Sequence, residues 1–268
     1  MSKISSRIDE MLEELCYFAG TTGEVDKGIK LISYSCWFLS RCLPSVIRTK
    51  DKAKRELIQN ICVGLRKVYT ELFMARYAPR LFGIPTCIEG IRNGSWVGSE
   101  YKDERLRHTG KFMAWCMLFY YPLEHIAYAR WVAPELIDAD AEQFSAWSCR
   151  AWALYVIADI VASLLKIKEL RENDEDIRKK LANMKTSYSK SDGKVQTKEW
   201  EEELEQLDRK RYSEKLQLWR NAFYFLPLVN WSLSNWETDP WLPEDVRNGL
   251  MLAESVTCIW QSFCSYWY

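Results

Sequence analysis

The chain of 268 residues contains only two histidines, and it lacks the short motifs on which most enzyme sites are built. His108 and His125 have no metal-ligating residue three or four positions further along, where a helix would bring one alongside. A phosphate-binding loop, a dinucleotide fingerprint and a nucleophile elbow are all missing. The sequence therefore predicts no catalytic site, no metal site and no cofactor, and it indicates a protein that is not an enzyme.

Glycine and proline are also scarce, with 11 and 8 residues. Because these residues form most tight turns, and because no segment alternates apolar and polar residues, the sequence predicts an all-α protein. Hydrophobic residues make up 48% of the chain, which excludes wholesale disorder. The 37 basic and 37 acidic side chains cancel, and this balance argues against a nucleic-acid partner.

Aromatic residues, in contrast, are abundant, with 13 Trp, 14 Tyr and 10 Phe. Trp and Tyr favour places where one end of the ring is apolar and the other is wet. Such places occur at membrane interfaces and at protein interfaces, so the composition alone leaves both open.

The most informative segment is residues 49–80, which the periodicity predicts to be one long amphipathic helix. It holds eight basic and three acidic side chains, a local excess of five in a neutral chain. Apolar residues recur along it at spacings of three and four: Leu57, Ile58, Ile61, Leu65, Val68 and Leu72. Such a helix can lie in the surface of an anionic membrane, or it can pack its apolar stripe on a protein core.

Residues 147–165 are the first candidate for a membrane span, since they form an apolar stretch of sufficient length. Asp159 near its centre makes insertion only marginally favourable, so a buried core helix is the alternative. Residues 219–236 and 249–268 are apolar and aromatic, and each is a candidate for a second span.

Residues 166–215 differ in composition, with 14 basic and 13 acidic side chains, and this predicts exposed helices around a polar loop.

The predicted fold is a membrane-associated helical bundle with a basic amphipathic helix, a charged linker and weakly hydrophobic candidate membrane helices. The chain divides into five segments. They are an N-terminal helical hairpin (1–48), the basic amphipathic helix (49–80), a helical region with the first candidate span (81–165), the charged linker (166–215) and a C-terminal apolar region with the second candidate span (216–268).

Three stretches of the chain resemble motifs of one family, and they occur in the family's order. Residues 22–34 include Thr22-Gly23, Asp26-Lys27 and Tyr34, residues 75–85 begin with Ala75-Arg76, and residues 120–128 begin with Tyr120-Tyr121-Pro122. They are similar to the peroxin-11 family of peroxisomal membrane-elongation proteins, in the form of a divergent fungal-type branch.

This resemblance implies a peroxisomal membrane protein that inserts its amphipathic helix into the cytosolic leaflet, self-associates, and promotes elongation before fission by other machinery. The apolar stripe would then be the inserting face. Anionic headgroups would bind the basic side chains Lys52, Arg55, Arg66, Lys67, Arg76 and Arg80.

Two alternatives remain open at this stage. A pore or channel component would need Arg150 and Asp159 to face a water-filled path. A soluble helical scaffold would instead use its aromatic surface to bind proteins.

Overall fold

The computed structural model describes residues 20–187 and 193–267, and these ranges contain helices but no β-strand. The prediction of an all-α protein is therefore confirmed. The elements are α1 (Thr22–Val46), α2 (Lys52–Ala75), the single turn α3 (Tyr77–Arg80), α4 (Gly83–Asn93), a 3-10 turn (Ser95–Val97), α5 (Glu104–Val132), α6 (Ala141–Ser187), α7 (Gly193–Trp231) and α8 (Glu244–Trp267). The first helix of the predicted N-terminal hairpin, over residues 6–19, lies outside the described residues.

The helices form a bundle in which most neighbours in sequence are neighbours in space. α5 packs on α6, α6 on α7 and α7 on α8. α1 then returns to lie against α8, and α2 packs on α1 at the edge of the bundle. The α1–α2 hairpin is therefore attached to the rest of the fold chiefly through α1.

The second helix of the predicted hairpin is α1, and it begins where the sequence allows a cap. The Thr21 side chain accepts a hydrogen bond from the Glu24 backbone N–H at 3.2 Å. Pro44 lies in the last turn of α1, which continues to Val46. The Pro44 nitrogen has no hydrogen to donate, but the Ile47 N–H still bonds the Leu43 carbonyl at 2.9 Å, so the last turn is kept.

The basic helix is shorter than the sequence predicted. Residues 49–80 are not one helix, because α2 ends at Ala75 and α3 follows as a separate turn. Pro79 has no N–H to donate to the Ala75 carbonyl, so the hydrogen-bond ladder is interrupted there. At the other end Asp51 caps α2, and its carboxylate accepts from the Ala53 backbone N–H at 3.0 Å.

The segment predicted as exposed, charged helices around a polar loop is helical in its described parts. Its first part continues α6 without a break and its last part belongs to α7. The two helices bury a seam of Leu170, Ile177 and Leu207, with Trp200 packed against it. The charges occupy the outer faces, for example in the i,i+4 pair of Lys168 and Glu172.

Candidate membrane-contact surface and the charged cluster at its base

Helix α2 lies on the surface of the fold and contains no buried residue. Of the predicted inserting face, Leu57 is 59% exposed, Ile61 46% and Val68 44%. The other three members, Ile58, Leu65 and Leu72, are half-buried. The apolar stripe is thus incompletely covered by protein, although apolar residues normally face a core.

A second face of α2, which the sequence reasoning missed, holds the helix to the bundle. The Tyr69 ring lies 5.8 Å from the Tyr34 ring of α1, and the Ser33 hydroxyl donates to the Tyr69 carbonyl at 3.0 Å. Phe73 and Tyr77 continue this line, with ring centroids 5.8 Å apart. The spacing of four residues between these aromatic side chains was the available signal, since it places them on one side of a helix.

Four of the predicted headgroup ligands, Lys52, Arg55, Arg66 and Lys67, are exposed on α2. Among the described residues, none of these four side chains forms an ion pair. Since each residue advances about 100° around an α-helix, these cations lie on the side of α2 opposite the apolar stripe.

The other two predicted headgroup ligands, Arg76 and Arg80, form ion pairs within the fold, although the Arg80 side chain is still 23% exposed. Arg76 is 6% exposed, and its guanidinium bonds both carboxylate oxygens of Asp26, with Nε–Oδ1 2.8 Å and Nη2–Oδ2 3.0 Å. Arg80 Nη1 donates to Glu124 Oε1 at 2.6 Å and to the Tyr120 hydroxyl at 3.1 Å. With their donors engaged in this way, the two arginines join elements of the fold, and the other four predicted headgroup ligands are the exposed ones.

The two arginines of this charged cluster hold the Asp26 carboxylate in the ionised form. Burial by itself raises the pKa of Asp26, but the hydrogen bond from Arg76 and the charge of Arg80 outweigh it. The pKa of Asp26 is therefore held below its ordinary value of 3.8.

The cluster also explains the sequence motifs. Asp26 belongs to the first motif stretch, Arg76 and Arg80 to the second, and Tyr120 and Glu124 to the third. Three stretches that are far apart in sequence therefore meet at the C-terminal end of α2, which we call its base. The shared motifs hold this base together and do not themselves supply the exposed stripe.

A second buried group of charges joins α1 to the C-terminal helices. The Lys30 ammonium pairs with Glu254 and bonds the Tyr224 hydroxyl, and Arg220 Nε donates to the other oxygen of Glu254 at 3.0 Å. Burial lowers the pKa of Lys30 to about 8, although the Glu254 charge opposes this shift. The group links α1, α7 and α8.

In the part of the chain that the structure describes, one helix is long and apolar enough to cross a membrane, Ala141–Asn183. Its most apolar window is 39% buried in the protein, whereas a core helix of a soluble protein would be mostly buried. Leu154, Ile157, Val161 and Leu164 are all exposed along one side. The second candidate spans, over residues 219–236 and 249–268, do not reach the same hydropathy within the described residues.

Asp159 does not face this exposed side. Its Oδ2 accepts from Gln217 Nε2 at 2.6 Å and from Asn221 Nδ2 at 2.7 Å, so its carboxylate is held against α7. Arg150 is engaged as well, because its Nε donates to the Ser232 carbonyl at 2.9 Å. Both residues that a pore would need on a water-filled path have protein partners, so the geometry gives the pore alternative no support.

The fold and these surfaces define a class, namely a helical protein that exposes apolar and basic faces suited to a membrane. The family model of Peroxisomal biogenesis factor 11 (PEX11) matches residues 12–242, and the chain belongs to this family. No curated protein and no solved structure matches the chain significantly. The protein is thus a peroxisomal, membrane-associated biogenesis factor with a role in membrane elongation and proliferation, from a family that is not known as an enzyme family.

Proposed function

We propose that the chain elongates the peroxisomal membrane by laying α2 into the cytosolic leaflet as a wedge. The observation that carries this proposal is that α2 exposes both its apolar stripe and its unpaired cations. The inserting face is Leu57, Ile58, Ile61, Leu65, Val68 and Leu72, and the headgroup ligands are Lys52, Arg55, Arg66 and Lys67.

The energies are adequate for surface binding. Full burial of one Leu, Ile or Val side chain contributes roughly 1.5–3 kcal/mol, and Leu57, Ile61 and Val68, which are 44–59% exposed, have about half of that still to gain. Each cation near an anionic leaflet adds about 1 kcal/mol. An inserted helix expands one leaflet relative to the other, and this difference in area favours curvature.

The partners in this proposal are those that the resemblance to the family implies. Anionic membrane lipids are the ligand, further copies of the chain are the partners that concentrate wedges on one membrane, and the peroxisomal fission machinery acts on the elongated membrane. No nucleic-acid partner is proposed.

The test uses the full chain reconstituted into anionic liposomes and electron microscopy of their shape. Leu57→Glu combined with Ile61→Glu places two charges on the stripe, at side chains the fold leaves exposed, and we expect tubules to be lost. Val63→Glu combined with Thr70→Glu is the matched control, because both residues are exposed on the opposite side of α2 and the charge change is the same.

Equal tubulation by the two double variants would refute insertion of the stripe. Extraction of the natural chain by alkaline carbonate would instead support the soluble-scaffold alternative. Co-sedimentation of differently tagged copies measures self-association separately, so its failure would leave the wedge itself in place.

A further inference from the structure

His125 of α5 connects two elements of the fold next to the base of α2, and the proposed wedge mechanism makes no use of it. Its Nδ1 lies 2.6 Å from the Tyr121 carbonyl oxygen of α5, and its Nε2 lies 3.1 Å from the Tyr77 carbonyl oxygen of α3. Both distances are those of hydrogen bonds. The side chain is half-buried, so water can still reach the ring and exchange protons with it.

The two carbonyl groups determine which form of the ring fits between them. A carbonyl oxygen only accepts hydrogen bonds, so each contact needs an N–H on the imidazole. Neutral imidazole has a single N–H in either tautomer, and the lone pair of its other nitrogen would face a carbonyl oxygen. Only the imidazolium form, in which both nitrogens are protonated, can donate to Tyr77 and Tyr121 together.

The charged side chains on the elements that meet at His125 are already paired. Arg80 of α3 bonds Glu124 of α5, and Arg76 bonds Asp26 of α1. These four groups, two of each sign, cancel formally, so they add no net charge beside the ring.

The other titratable or charged groups near the ring keep their state at neutral pH. Burial raises the pKa of the Tyr77 hydroxyl, and it raises that of Tyr121 to about 12, so both hydroxyls stay neutral. Arg130, the next charged residue along α5, donates to the Ile137 carbonyl at 3.0 Å. Imidazole is therefore the group at this contact whose charge changes between about pH 5 and pH 8.

We propose that His125 is a pH-sensitive latch between α3 and α5. As imidazolium it donates to both carbonyl groups and ties the segment that follows α2 to the bundle. When the ring loses its proton, one of the two hydrogen bonds is lost, and the latch loosens as the pH rises. A tighter hold on α2 at lower pH is the consequence for the membrane, and that consequence alone rests on the proposed function of α2.

The first test is NMR spectroscopy of the full chain in detergent micelles, with ¹⁵N in histidine only. His108, the second of the two histidines, is exposed, so its ring hydrogens exchange rapidly with water and give no signal. We expect two ring N–H signals from His125 at about pH 5.5 and one at about pH 8, on either side of the ordinary histidine range. His125→Gln should remove the signals, and His108→Gln should leave them in place.

The second test compares urea unfolding of the natural chain and of His125→Gln, followed by circular dichroism, at the same two pH values. Glutamine does not change its charge, so the natural chain should gain on the variant at the lower pH, by about fivefold in the unfolding equilibrium constant. His108→Gln is the matched control, because it makes the same substitution at an exposed histidine, and its difference from the natural chain should stay nearly constant.

A single ring N–H signal at both pH values would show a neutral ring throughout and would overturn the latch. Two signals at both values, or none at either, would overturn it as well, because the ring would then not switch or not donate. A difference in unfolding that is the same at both pH values would leave His125 a merely structural role. If His125→Gln does not fold, the NMR signals of the natural chain decide alone, and none of these outcomes depends on membrane tubulation.

Discussion

Asp26→Asn tests whether the charged cluster fixes the base of α2. The substitution keeps the size of the side chain but removes the charge that balances Arg76, a residue only 6% exposed. Breaking a buried ion pair by removing one partner leaves an uncompensated charge and costs about 3–5 kcal/mol. Arg76 makes two hydrogen bonds to the carboxylate, at 2.8 and 3.0 Å, but the Asp26 side chain is 26% exposed, so the lower part of this range is expected.

The assay is urea unfolding of the full chain in detergent micelles, followed by circular dichroism. Asp245→Asn is the matched control, because Asp245 pairs with Arg41 on the surface, where both side chains are about half exposed. Exposed pairs contribute little to stability, so we expect almost no change in that variant. Equal destabilisation by the two substitutions would refute the reasoning.

The same pair predicts a pH dependence. The pKa of Asp26 is lower in the folded chain than its ordinary value of 3.8, so the unfolded chain binds the proton more readily. The contribution of Asp26 is therefore fully present above about pH 4 and is lost as the pH falls through and below that value. The difference in unfolding free energy between the natural chain and Asp26→Asn should shrink over this range, and a constant difference would contradict the assignment.

Two glycine positions and one lysine carry further predictions. Gly83→Ala should cost about 1–3 kcal/mol in the same unfolding assay, because the Tyr121 ring occupies the place of the new methyl group. Gly64→Ala, in open space on α2, should instead stabilise the helix by roughly 0.5–1 kcal/mol, and destabilisation there would show that the helix is covered. Lys30 has a folded pKa of about 8 against 10.5 unfolded, so stability relative to Lys30→Met should rise with pH between these values. A difference that stays flat between pH 8 and 10.5 would show that Lys30 remains protonated in the fold.

The helices were largely predictable from the sequence, because capping residues and apolar periodicity are local signals. The Asp103 carboxylate accepts from the Arg105 backbone N–H at 2.9 Å and caps α5, whose first residue is Glu104. The roles of Arg76 and Arg80 were not predictable in the same way. Their partners Asp26 and Glu124 lie 50 and 44 residues away, and no local pattern distinguishes a buried arginine from a lipid-facing one.

Helices over the charged segment were predictable, whereas the contact between them was not, for a similar reason. Counting its charges described the outer faces of two helices correctly, but it ignored the few apolar residues between them. Leu170 and Ile177 lie seven residues apart on α6, a spacing that returns to the same face, and they meet Leu207 of α7. So few apolar residues do not change the composition of the segment noticeably. Their contact is seen only in the structure, where the two helices pack together.

The separation between the base of α2 and its exposed stripe bears on how a wedge could work. A free amphipathic peptide can insert into lipid, but its insertion does not orient any other part of a protein relative to the membrane. In this fold the aromatic line of Tyr69 and Phe73 and the pair of Arg76 with Asp26 fix one end of α2 to the bundle. Insertion of the stripe would then orient the whole bundle relative to the membrane, and neighbouring copies would be oriented alike.

Lipid binding and membrane shaping are separate steps on this mechanism. On the proposed mechanism, Asp26→Asn leaves the stripe and the exposed cations untouched, so liposome flotation should change little. Tubulation should fall, because the helix is no longer held rigidly to the bundle. Loss of both activities in parallel, with the fold intact by circular dichroism, would show that the base of α2 is needed for insertion itself and that rigidity is not the separate requirement.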